Sequence, residues 1–354
     1  MASNQVVKHG APEARAIRVD KTGPRAQFWR SLRALVSVIF VVIALIPVVW
    51  LAMTTFKTRP DTVAVPPKYI PYIEDGILSN ACTDENGNEK KPCFEVTLEG
   101  VIGLFTQRFL LTQAQQAEYA ERTDLGWADR ILIKRGLIIL GPSQYVDRFK
   151  SSLIIAGFST IFSVGLGLLA AYAFSRFNIA GEADLLFFIL STRMLPPVVV
   201  TIPIFLMYRQ IKLYDTHIGM IILYTVFNLS FSVWLLKGFI DEIPREYEEA
   251  ALVDGYSRLQ AFFRIVLPQA LTGIAATAVF CLIFAWNEYA FALMLTQDKA
   301  RTAPPSIPSV LGTGGIEWAV IAAGSMLFLI PVVIVTFALR KYLLRGVTFG
   351  AIRQ

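Results

Sequence analysis

The sequence predicts an all-α membrane protein: six transmembrane helices, a helical loop on the cytoplasmic side and a long segment on the external side. Three observations carry this. Of 354 residues, 55% are hydrophobic and 17% charged, against about 45–50% and about 25% in soluble domains. The missing charge is absent from several stretches of about 20 residues, the length that crosses ~30 Å of hydrocarbon at 1.5 Å per residue. Both ends are basic, and an even number of spans puts both on one side. This composition excludes a soluble enzyme and a disordered chain. The net charge of +6 fits cytoplasmic loops beside anionic lipid. No basic patch is interleaved with aromatics, so no nucleic-acid partner is expected.

The elements follow in order. Residues 1–33 form a cytoplasmic tail with Lys8, Arg15, Arg18, Lys21, Arg25, Arg30 and Arg33. The first span covers 34–56; it is too long for a cleaved signal peptide, and no small-residue cleavage site follows. Residues 57–150 form the external segment, opening on Pro60, Pro66, Pro67 and Pro71 as an extended lead-out. Cys82 and Cys93 flank a polar turn there. A disulfide closing this loop and two free thiols both fit the pattern. Val101 to Gly136 reads as amphipathic helix, with Leu104, Phe105, Phe109, Leu110 and Leu111 on its apolar side. A core of five further spans occupies 151–340: about Leu153–Phe174, Leu185–Tyr208, Ile218–Phe239, Ala270–Leu295 and Trp318–Leu339. Pro196 and Pro197 should break or kink the third span. The 209–217 turn lies outside although it carries Arg209 and Lys212, a mild departure from the positive-inside rule. Residues 341–354 form a second cytoplasmic tail.

The loop 241–269 holds the most specific pattern. Pro244 suits a first helical position, and Glu246, Glu248 and Glu249 crowd the first turns, where the helix dipole favours anions. Ala250 and Ala251 follow, then Asp254 and Gly255, a left-handed stop. Ser257-Arg258-Leu259-Gln260 is a capping box that opens a second amphipathic helix, which meets Pro268. A helix resting on lipid would carry Lys and Arg on its polar face. This first helix is acidic and fits a basic protein groove better.

The run Glu249-Ala250-Ala251, three residues, Gly255, nine residues, Ile265-Val266-Leu267-Pro268 resembles the "EAA" loop of binding-protein-dependent ABC importer permeases, in every motif position. Asn228-Leu229-Ser230-Phe231, Trp234 to Phe239, Ala285-Trp286-Asn287-Glu288-Tyr289 and the ending Arg340 to Ala351 resemble the carbohydrate permeases of the maltose/glycerol-phosphate type, second six-span subunit. The departure is external: about 60–70 residues, roughly Glu74 to Gly141, look inserted. The resemblance implies a permease that pairs with a homologous permease subunit in the bacterial inner membrane. Two cytoplasmic ATPase subunits dock on the loops, and a periplasmic or lipid-anchored binding protein delivers a sugar. ATP and Mg belong to the partner subunits; this sequence has no GxxxxGK[ST] and no cofactor of its own. The implied ATPase-coupling residues are Glu248, Glu249, Ala250, Ala251, Asp254, Gly255, Ile265, Leu267 and Pro268, with both glutamates contacting the groove and both alanines kept small by it.

Polar residues inside spans must face the bundle or a wet cavity. Arg193, Asn228, Ser230, Asn287 and Glu288 are therefore pathway candidates, with Arg193 and Glu288 either gating it or forming an internal ion pair. Metal chemistry is not indicated: three cysteines and two histidines form no HExxH or CxxC. His217 reads as a solvated loop histidine, which leaves a membrane enzyme without a nucleophile–base pair. A secondary transporter would show internal repeats and more embedded carboxylates. A polyol, glycerol-phosphodiester or other solute remains an alternative cargo.

Overall fold

The computed structural model describes residues 24–57, 62–63, 97–122, 126–133, 136–308, 311–312 and 315–349. Cys82 and Cys93, most of the N-terminal basic tail and residues 74–96 of the inserted stretch lie outside these residues.

Helix α1 (Pro24–Thr55) carries the first span, with Gln27–Thr55 apolar enough to cross a membrane. Four other straight helices pass the same test: α5 (Tyr145–Arg176), α8 (His217–Asp241), α10 (Arg258–Trp286) and α13 (Trp318–Phe349) up to Lys341. The third expected span is not one helix. Glu182–Met194 and Pro197–Gln210 meet at 91°; they are α6 (Glu182–Ser191) with a tight turn at Thr192–Met194, and α7 (Pro197–Gln210). The cause is local. Leu195 and Pro196 are extended (ψ 128° and 129°), the conformation that a following proline imposes, and Pro197 restarts the helix where no N–H is needed. The expected break is therefore present but far larger than a kink.

The fifth span is shorter than expected at one end and longer at the other. It ends at Trp286 rather than Leu295, and a separate helix α11 (Ala290–Leu295) follows. At its start the loop's second helix does not stop at Pro268 but runs straight into the span. Pro268 lacks an N–H, and the turn before it (Phe262–Val266) widens to i→i+5 bonding, with Leu267 N–H donating to Phe262 O.

Helices α5 and α8 pack closely through small residues. A Cβ at Gly167 would lie 2.5 Å from that of Ser232, so only glycine permits the approach. Ser159, Ser163 and Ala171 continue the buried side of α5. Polar groups are paired across helices: Asn228 Nδ2 donates to Cys281 O (3.1 Å), and Trp286 Nε1 to Phe328 O (3.1 Å). Three apolar clusters stack along the bundle. One joins Val164, Leu168, Leu236, Phe262 and Val266; a second centres on Ile155, Tyr224, Trp286 and Leu295; a third holds Leu104, Tyr145, Ile307 and Val320. By contrast α6 buries none of its residues, and α7 only Thr201 and Tyr208.

Residues 97–142, expected on the external side, are not one amphipathic helix. They comprise α2 (Glu99–Phe105), β1 (Thr106–Leu110), α3 (Gln113–Ala120), α4 (Trp127–Ile133) and β2 (Leu137–Pro142). The strands pair antiparallel from Thr106↔Pro142 to Leu110↔Leu137, with a bulge at Gln107/Arg108. Phe109 and Leu110 are thus strand residues. A short helix α12 (Ala303–Ser306) and a two-residue hairpin, β3 (Leu311–Gly312) with β4 (Gly315–Ile316), precede α13.

Candidate functional site

The loop after α8 folds as its sequence dictates. Helix α9 (Glu246–Val253) has three glutamates in its first turn, and Asp254 caps its end. Gly255 has φ +88° with nothing within 4 Å of a would-be Cβ, so glycine is needed for the turn and not for space. Ser257 and Gln260 form the capping box, with Ser257 N–H donating to Gln260 Oε1 (2.8 Å) and Gln260 N–H to Ser257 Oγ (3.3 Å). Pro244, expected at the first helical position, lies before the helix, and Arg245 is its N-cap.

The two glutamates have opposite fates. Glu248 is buried and pairs with Arg176 at the end of α5, and it also accepts from Tyr172 OH (2.9 Å). Arg176 further donates to Ile240 O (3.2 Å) and Ile243 O (2.9 Å), and Arg245 donates to Ser175 O (2.6 Å). The expected outward contact of Glu248 is therefore corrected: its charge clamps α9 to the bundle. Glu249 and Ala250 are exposed, whereas Ala251 is buried against the clamp. Only one alanine of the motif faces outward. Leu267 packs on the Val164–Phe262 cluster, Ile265 lies in the widened turn within α10, and Pro268 follows that turn and is exposed. The outward side of the loop presents Tyr247 and Phe263 (each 54% exposed), Val253 (87%) and Leu259 (66%) beside Glu249. Arg176 was not singled out from sequence. Its place in the last turn of α5 was a signal, but one shared with any helix end.

Inside the span region, Arg193, Asn228 and Glu288 line one cavity of about 210 Å³, with Tyr224, Phe227 and Phe284. Ser230 does not reach it; its hydroxyl meets Thr192 Oγ1 (3.1 Å). Asn287 is exposed and donates back to Ile283 O (2.9 Å). The Arg193–Glu288 pair is corrected as well. Glu288 accepts from Tyr224 OH (2.6 Å) and from the N–H groups of Phe291 (2.9 Å) and Ala292 (3.1 Å), so it starts α11. Arg193 instead lies over Phe284 (4.1 Å to the centroid) and Phe231 (5.2 Å).

Two further contacts close the same end of the bundle. Asp215 accepts N–H bonds from Gln297 (2.9 Å), Asp298 (3.2 Å), Lys299 (3.1 Å) and Ala300 (3.1 Å). Partial burial raises the pKa of this carboxyl, but the four backbone donors outweigh it and hold the group below the usual aspartate value. His217 is not a solvated loop residue: it opens α8 and its Nε2 meets Ser151 Oγ at 3.0 Å.

Comparison with known proteins agrees with this geometry. The family model described as "Binding-protein-dependent transport system inner membrane component" matches residues 163–349. The trehalose/maltose transport system permease protein MalG of Thermococcus litoralis is 34% identical over 219 residues, 61% of this chain and 79% of the relative. The trehalose transport system permease protein SugB of Mycobacterium tuberculosis is 36% identical over 214 residues, 58% and 78%. A probable ABC transporter permease protein of Sinorhizobium fredii is 28% identical over 309 residues, 87% and 90%, a match too long to leave the external segment out. In fold, the chain resembles a bacterial ABC transporter involved in the import of the acidic polysaccharide alginate, with TM-score 0.60 and 17% identity over 90% of this chain and 98% of that one.

Proposed function

The chain belongs to the binding-protein-dependent transport system inner membrane components, and from that premise we propose that it is one of two permease subunits of an ATP-driven carbohydrate importer. It forms half of the pathway. A homologous permease forms the other half, two ATPase subunits supply the energy, and a solute-binding protein delivers the cargo. Both tails lie in the cytoplasm. The names of the relatives from T. litoralis and M. tuberculosis support a sugar as cargo.

One observation carries the reading. Helix α9 is clamped from behind by a buried ion pair while its outward side leaves Glu249, Ala250 and Val253 exposed among the described residues. A helix built so stiffly and left uncovered is suited to receive force from another protein. The sequence has no nucleotide-binding GxxxxGK[ST], so the energy comes from that neighbour. ATP and Mg are held there. Closure of the ATPase pair would push α9, and the Glu248–Arg176 clamp would pass the displacement to α5.

The test is a double variant, Glu249→Lys with Gly255→Val, in the complete importer. The charge reversal repels a basic groove, and Val in a left-handed position costs about 1–2 kcal/mol. The expected result is a permease still inserted in the membrane, with uptake abolished and the ATPase lost from the purified complex. Full uptake by this variant would remove α9 from the coupling path.

A further inference from the structure

One guanidinium nitrogen inside the bundle has no acceptor among the described residues. Arg193 Nη1 is buried and has no hydrogen-bond partner among the described residues. The rings of Phe284 and Phe231 beneath the guanidinium offset part of its charge but accept no normal hydrogen bond. The carboxylate in the same cavity, Glu288, is already engaged by Tyr224 OH and two backbone N–H groups. A buried cationic N–H left without an acceptor in a span region is costly, and a group from outside the chain can complete it. The 210 Å³ cavity on which Arg193 opens has space for roughly seven waters, and ring faces and Asn228 form its walls.

The same end of the bundle repeats the sign. Arg148 at the start of α5 lies within electrostatic reach of Arg301 and Asp298, Arg209 and Lys212 stand at the end of α7, and Lys299 and Arg301 lie between α11 and α12. Asp215 is spent on four backbone donors, and Arg301 keeps a buried Nε without a partner among the described residues. Positive charge is disfavoured in short external loops, and a cation-lined mouth concentrates anions from solution.

We infer that the solute carries an anionic group, a carboxylate, sulfonate or phosphate, and that Arg193 receives it through charge-assisted hydrogen bonds. This rests on the importer reading and narrows its cargo to acidic carbohydrates.

The test uses the complete importer in nanodiscs, titrated separately with D-glucuronate and with glucose, with binding read by tryptophan fluorescence. Glucuronate is expected to bind at least about tenfold more tightly than glucose, the factor one charge-assisted bond supplies. Arg193→Gln should remove the preference, and Arg193→Lys should keep part of it, which separates loss of the guanidinium from loss of fold. Equal binding of both probes, binding of neither, or a preference that survives Arg193→Gln overturns the inference. So does a wild type without preference whose Arg193→Gln variant sheds the partner permease, because the counter-ion is then a partner carboxylate. ATPase subunits co-purifying with the wild type keep the importer reading intact in each of those cases; their absence would defeat that reading instead.

Discussion

Asp215 holds a left-handed backbone (φ +54°) and turns its carboxylate onto the N–H groups of four consecutive residues, Gln297 to Ala300. This joins the turn between α7 and α8 to the segment after α11. Asn tolerates the same backbone, so Asp215→Asn removes the charge without new strain. We expect it to cost about 1–2 kcal/mol, after discount for a half-exposed site. The sign of the pH dependence follows from the lowered pKa. The carboxylate's contribution is complete above the unfolded aspartate value, about 3.9, and is lost as pH falls through the folded one. Hydrogen exchange of the 297–300 amides should therefore be faster in the variant at pH 7, and the difference should vanish once the pH has fallen through the lowered folded pKa of Asp215. An equal difference at both pH values would assign the clasp to shape rather than charge. Nothing in the sequence marks Asp215, because its partners lie over 80 residues away.

Helix α9 shows how much of an element its sequence can specify. Its glycine stop and the capping box after it were legible because each is a local pattern of propensity and hydrogen bonding within a few residues. Which glutamate faces the bundle was not, since successive positions at 100° spacing differ only in what the rest of the fold brings up to them. The break at Pro196–Pro197 was legible for the same local reason, but its 91° angle depends on packing. Phe109 and Leu110 were read as helix because their apolar run is too short to separate the two periodicities. The opposite orientation of the two glutamates makes a prediction. Glu248→Ala should destabilise the solubilised permease by about 3 kcal/mol, the lower end for a broken buried pair, since two carbonyls still receive Arg176. Glu249→Ala should leave the unfolding midpoint unchanged and lower only ATPase retention. Equal thermal shifts for the two would contradict the clamp.

At the scale of the whole molecule, the part from Leu51 onward is one compact unit, and its external residues belong to it. Helix α2 lies against α13: a Cβ at Gly100 would come within 2.6 Å of Ala319 O. Tyr145 OH donates to Gly324 O (2.8 Å) from α5. Arg108 on β1 pairs with Glu317 just before α13, with side chains 8% and 10% exposed, and Gly103 leaves the space that its guanidinium fills. The bulge at Gln107/Arg108 shifts the register of β1 on β2 next to the residue that reaches Glu317. These contacts join the subdomain to the last span. A double-mutant cycle tests the lock. Arg108→Met should cost about 3–5 kcal/mol by leaving the Glu317 charge buried. Adding Glu317→Leu should lower that cost, because an apolar pair of similar size fills the site. Additive losses would mean that each side chain is held by other neighbours, and the subdomain would then be free to move apart from α13.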